Sequence, residues 1–147
     1  RQASNSSFGK QLIEIIAAGE AGNLSALRAA TTSKRPSLRY WGATWLGHLK
    51  SKQDGKQLAA LTRDPVPAVR VAAALALARL GEHQTSLPLL ASHIDADNLL
   101  VGMYAIRALE KVGPAASEVL PAIKDAVDSP YEFTRRFAKR LSSQLQQ

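Results

Sequence analysis

The chain has 147 residues, 46% of them apolar, and a formal net charge of +7; this suits one domain with a real core and is too short for two of ordinary size. It has no cysteine, which excludes disulfides and thiolate zinc sites, and no run of about 18 apolar residues, which excludes a membrane-spanning helix. Aromatic residues make up 5%, so the core must come from Leu, Ile, Val and Ala, and the basic balance permits an acidic partner such as nucleic acid or a sulfated glycan without requiring one.

In chain order, residues 1–9 are rich in Ser, Asn and Gln and are expected to be disordered or frayed. Arg1 in place of Met, with no charged-then-apolar leader, reads as a fragment or mature product. The stretch GKQLIEIIAAGEAG then predicts a first helix closed by Gly19 and Gly22. Four pairs of helices follow, over approximately 23–50, 54–81, 84–113 and 114–145, in a single domain of residues 10–147. The first helix of each pair is expected at 24–32, 56–63, 86–94 and 115–127. Asn23, Asp54 and Thr85 are the candidate N-caps. Pro36 and Pro67 suit the first turn of the second helices, where the missing N–H costs nothing. Gly81 and Gly113 suit C-caps. Pro88 and Pro121 either open or kink their helices.

The second helices align in a register. Arg39, Arg70, Gly102 and Arg135 stand 31, 32 and 33 residues apart, within the segments LRYWGATWLGHLK, VRVAAALALARLG, VGMYAIRALEKVG and TRRFAKRLSSQLQ. The fifth place is always small (Gly42, Ala73, Ala105, Ala138). The ninth is Leu46, Leu77, Leu109 and Ser142, and the twelfth Leu49, Leu80, Val112 and Leu145. Spacings of four, four and three mark one helix face, and a period near 32 marks stacked helical hairpins. The helix at 67–80 is apolar nearly all round, as the middle of a stack must be. The fold class is therefore all-α: a right-handed α-solenoid of about four hairpins plus an N-terminal helix, nine helices in all. The polar ending SSQLQQ suits a terminal cap.

The stretch DPVPAVRVAAALALARLGE resembles the short, Ala-rich HEAT-like repeats of phycobilin-lyase-type proteins, a resemblance that covers residues 23–145 and implies fold rather than function. LRYWGATWLGHLK together with YEFTRRFAKRL is also similar to the C-terminal repeat region of some bacterial sulfatases. That resemblance implies a non-catalytic accessory module of a secreted or periplasmic sulfatase-like hydrolase, which would support the catalytic domain or an oligomer mate. Without it, a cytoplasmic location is expected. The sulfatase nucleophile motif is absent: SKRPSLR at 33–39 has its proline in the wrong place. No calcium-ligand cluster occurs, so no active-site residue carries over.

Little else suggests chemistry. His48, His83 and His93 share no metal-ligand spacing. Asp95 and Asp97 could form an acid–base pair but fit turn and cap roles, and Asp64 and Asp128 close first helices. No nucleophile elbow and no phosphate loop is present. Asn5 and Asn23 head short N-x-S matches to a glycosylation acceptor. No catalytic residue, metal site or cofactor is expected, and no membrane partner.

Two groups remain as candidate interaction residues. Arg39, Arg70 and Arg135 share one register position and, with Arg136 and nearby basic residues such as Lys34, Arg35, Arg63, Lys139 and Arg140, could form a basic track for phosphates or sulfates. The structural alternative is a ladder, for example Arg70 on Asp64, tying repeats together. Tyr40, Trp41 and Trp45 form one aromatic cluster, either core packing or a docking surface for a protein partner. Against the accessory module stand a free-standing scaffold whose basic edge binds an acidic protein or nucleic acid, and a repeat-type DNA glycosylase or lyase.

Overall fold

The computed structural model describes residues 2–147, with side chains from residue 7 onward. Helix α1 spans Gln2–Glu20, α2 Leu24–Thr31, α3 Pro36–His48, α4 Gly55–Leu61, α5 Pro67–Arg79, α6 His83–Ser92, α7 Leu99–Val112, α8 Leu120–Asp125 and α9 Glu132–Gln144. Short 3₁₀ turns at Lys52–Asp54, Gly113–Val119 and Ala126–Asp128 join them, and no strand occurs among the described residues. The segment expected to be frayed, residues 1–9, falls on the first turns of α1 and on Arg1, which lies outside the described residues.

Local chemistry sets the helix ends. Asn23 Oδ1 accepts from the Ala26 amide at 3.2 Å and caps α2. Pro36 and Pro67 open α3 and α5. The residue before a proline is pushed to extended backbone, and Arg35 and Val66 are extended (ψ 117° in both). Asn98 and Tyr131 adopt the same conformation before α7 and α9 without a following proline, so all four second helices enter through one kind of corner. Gly81 and Gly113 have φ of +90° and +80°, conformations that a Cβ disfavours. Lys50 takes the same register place after α3 with φ +51°.

Three expectations about ends need correction. Gly22, with φ +67°, ends the turn after α1, whereas Gly19 lies inside the helix. Thr85 is no cap, because α6 begins at His83 and the Glu82 carbonyl already accepts from Ser86 N (3.1 Å). The fourth first helix is broken into a 3₁₀ turn, α8 and a further 3₁₀ turn, since Pro114 and Pro121 lack the N–H that a continuous helix needs. Pro88 does lie inside α6, on its exposed side.

Each second helix packs on the next, α3 on α5, α5 on α7 and α7 on α9, while α2, α4, α6 and α8 lie against their own second helices. Order in space follows order in the chain, as hairpin stacking requires. The fifth and ninth register places are all buried. A Cβ on Gly42 would come within 2.9 Å of the Leu27 carbonyl, so the small fifth place is where α2 crosses α3. The twelfth place is at the helix end and only partly covered, with Leu49 38% exposed.

Helix α5 explains its own composition. Val69, Ala72, Ala73, Ala76 and Leu77 belong to a core shared with α1–α4. Val71 and Ala74 belong to a second core shared with α6–α9. One helix serves as the wall between two cores, and small side chains let neighbours close on it from all sides.

Candidate functional site

The second helices turn one face away from their outer partners, and there α3, α5 and α7 enclose an open hollow of about 430 Å³. Its floor is α5, where Val71 and Ala72 are buried. Because these side chains are short, residues two repeats apart line one hollow across them: Tyr40 and Thr44 from α3, and Met103 and Tyr104 from α7.

The hollow is basic. His48, Arg79 and Lys111 line it, 31 and 32 residues apart, so they are one register place in three successive repeats. Arg107 adds a fourth base and stacks 5.5 Å from the Phe137 ring centroid, with Arg140 at 4.7 Å from the same ring. No lining residue is acidic. Glu110, next to Lys111 in the chain, is instead bound to Arg140 at 2.6 Å. Among the described residues Arg79 and Lys111 enter no ion pair. Burial holds the Arg79 guanidinium below the ordinary arginine range, because desolvation opposes a charge that nothing nearby offsets.

Towards the start of the same helices the hollow becomes aromatic. Tyr40, Trp41 and Tyr104 surround a shallower depression of about 250 Å³ with Pro36 and Val66. Tyr40 meets Trp41 edge to face, centroids 5.4 Å apart and planes at 89°. Burial, and then the neighbouring Tyr104, raise the Tyr40 phenol above its ordinary value, so it stays a neutral donor. The Thr44 hydroxyl donates to the Tyr40 carbonyl at 2.8 Å. The hollow can bind an anion beside an apolar group, and it aligns no nucleophile with a base.

The basic residues singled out from the sequence have another geometry. Arg39 Nη1 donates to the Ser33 and Lys34 carbonyls, Arg70 Nη1 to those of Asp64 and Pro65, and Arg135 Nη1 to those of Ser129 and Pro130, at 2.8–3.3 Å. Each clamps its own inter-helix turn. The remaining edge of the first two reaches the next repeat: Arg39 binds the Asp64 carboxylate at 2.6 and 2.9 Å, and Arg70 Nε lies 3.1 Å from His93 Nε2. The ladder partner of Asp64 is thus Arg39 rather than Arg70. Arg136 is exposed beside Phe133, Phe137 and Arg140.

Two further links join the first and second hairpins. Arg28 binds Asp54 at 2.6 and 3.2 Å, which takes that carboxylate away from the capping role expected of it. Gln57 Nε2 donates to the Arg28 carbonyl at 3.0 Å and to Thr31 Oγ1. Asp64 is held below the ordinary aspartate range by Arg39, against the opposing effect of burial. For Asp54 burial pushes upward most strongly, but the bonds from Arg28 and Ser51 together outweigh it.

The aromatic cluster divides. Tyr40 and Trp41 face the hollow, while Trp45 turns to α1, where a Cβ on Gly19 would lie 2.1 Å from the indole. Gly19 is therefore the notch that seats Trp45. His48, Arg79 and Lys111 were not among the residues expected from the sequence, although they form a column nine places after Arg39, Arg70 and Gly102. Three residue types share that column, so no single letter repeats.

Among the described residues, no group of three or more His, Asp or Glu could hold a metal ion, and no helix is long and apolar enough to cross a membrane. The sequence matches the HEAT repeats family over residues 24–101 and again over 56–142. No curated protein matches it significantly.

Proposed function

The chain belongs to the HEAT repeats family, and from that premise we propose that it is a docking module that holds a partner protein in the hollow of α3, α5 and α7 and makes or breaks no bond itself. The supporting observation is the hollow: three successive repeats wall it, and bases and aromatic rings rather than catalytic pairs line it. Trp and Tyr favour the centres of interfaces, since they bury much area at little entropic cost. The basic surface suited to an acidic protein or to nucleic acid moves, in this reading, from the Arg39–Arg70–Arg135 edge to the hollow.

The narrower version has the catalytic domain of a sulfatase-like hydrolase, or an oligomer mate, as that partner. The resemblance of LRYWGATWLGHLK and YEFTRRFAKRL to sulfatase repeat regions supports it, with a periplasmic or secreted location as its corollary.

Photo-crosslinking residues at Leu75 in the hollow and at Lys124 on α8 test the proposal in the native host. A discrete adduct from Leu75, absent from Lys124, is expected, and sulfatase peptides within it would support the narrower version. Equal labelling from both positions, or none from Leu75, would overturn docking in the hollow.

A further inference from the structure

We infer that the segment received in the hollow is an acidic peptide of a protein partner, with an apolar anchor on Tyr40, Trp41 and Tyr104 and carboxylates on the column of His48, Arg79 and Lys111. This rests on the docking role proposed above and adds the chemistry of the ligand.

Charge complementarity carries the first half. A partly buried cation is costly unless an opposite charge meets it. Arg79 is such a cation: it enters no ion pair among the described residues, and no residue that lines the hollow with it is acidic. The acid beside this column in the chain, Glu110 next to Lys111, is held by Arg140. The uncompensated bases are a periodic set, one from each of three repeats.

Geometry carries the second half. Packed helices stand about 8–10 Å apart, and a polyproline II segment advances about 3.1 Å per residue with about three residues per turn. Such a segment crossing the three helices therefore turns every third residue toward the next base. The floor of Val71, Leu75 and Met103 is apolar and suits the intervening side chains. In duplex DNA each strand carries a phosphate for about every 3.4 Å of helix axis, which would need a denser track. The arginines that could supply one, Arg39, Arg70 and Arg135, hold the carbonyls of their own turns.

Fluorescence anisotropy tests this with four labelled probes at low and moderate salt. They are a peptide with a Leu-Pro anchor and Glu at every third place, the same peptide without the anchor, its Lys counterpart, and single-stranded DNA. The anchored Glu peptide is expected to bind best. Arg79→Glu and, as a second variant on an exposed position, Arg107→Glu should each weaken it at least about tenfold, the scale of one lost charge contact. Arg63→Glu and Lys124→Glu make the same charge change outside the hollow and should leave it within about twofold. Tyr104→Ala should weaken the anchored peptide and not the anchorless one. Circular dichroism checks that each variant keeps its helices. Equal losses from the inside and outside variants, tighter binding of DNA, or no acidic-peptide binding at low salt would each overturn the inference. If the peptides fail while Leu75 still crosslinks a partner, the acidic chemistry falls and docking stands; an empty crosslinking map removes docking itself.

Discussion

The guanidinium of Arg39 lies edge to edge with the carboxylate of Asp64, Nε 2.6 Å from Oδ2 and Nη2 2.9 Å from Oδ1. The side chains are 13% and 4% exposed, so neither charge could recover its hydration if the other were removed. Arg39→Met should therefore cost about 3 kcal/mol, the usual penalty for stranding one partner of a buried pair. Arg39→Met combined with Asp64→Asn should cost clearly less than the sum of the single changes. Urea denaturation of all four proteins measures the coupling; additive losses would mean that the pair contributes no mutual stabilisation.

Acid should loosen the junction between the first two hairpins. Asp54 and Asp64 both titrate below the ordinary aspartate range in the fold, so as pH falls below about 4 the unfolded chain takes up protons first. The stabilisation is complete above that point and is lost as pH falls through the lower folded values. Urea midpoints from neutral pH to about pH 3 should drop, and Asp64→Asn should flatten the drop. An equal slope in the variant would assign the acid sensitivity to other carboxylates.

Gly19→Ala opposes two effects. Alanine gains about 1 kcal/mol of helix propensity over glycine. The added methyl would overlap the Trp45 ring, 2.1 Å from Cδ2, and α1 packs only on α2 and α3 among the larger helix contacts. The overlap should win, lifting α1. Trp45 fluorescence should shift to the red and protease should cut between α1 and α2 first; an unshifted spectrum would show that α1 can slide to make room.

Ala73 and Leu77 are 0% and 2% exposed in the wall between the cores. Leu77→Ala should leave a cavity costing about 2–5 kcal/mol, and Ala73→Leu should overpack at a cost of about 1–3 kcal/mol. Thermal melts check both, and parental stability in either variant would place its side chain outside the packed wall.

Lys50 occupies with φ +51° the place that Gly81 and Gly113 hold in the next repeats. A side chain there is disfavoured by about 1 kcal/mol, partly offset by the greater freedom of glycine in the unfolded chain. Lys50→Gly should raise stability by about 0.5 kcal/mol. A fall would show that the Lys50 stem covers apolar surface.

The hairpin stack was legible in the sequence because small fifth places and leucine ninth places are set directly by close helix crossings. Pro36, Pro67, Gly81 and Gly113 marked corners for equally local reasons. The broken fourth first helix was harder, since Pro88 sits within α6 whereas Pro114 and Pro121 interrupt theirs: α6 loses one N–H to proline and the last segment loses two, seven residues apart. The partner of Asp64 was hidden because Arg70 is six residues away in the chain, while Arg39 arrives only through stacking. The hollow depends on α3 and α7 flanking the short side chains of α5, a relation between repeats that no single helix pattern contains.

The joints along the stack differ in strength. Between the first and second repeats two guanidinium–carboxylate clips and the Gln57 bridge resist hinging, whereas between the second and third the matching arginine meets only the imidazole of His93. Polar ties are therefore fewer where α7 leans on α5 than where α5 leans on α3. The wall bearing Tyr40 and His48 is fastened to the second repeat by charge, and the wall bearing Tyr104, Arg107 and Lys111 chiefly by packing.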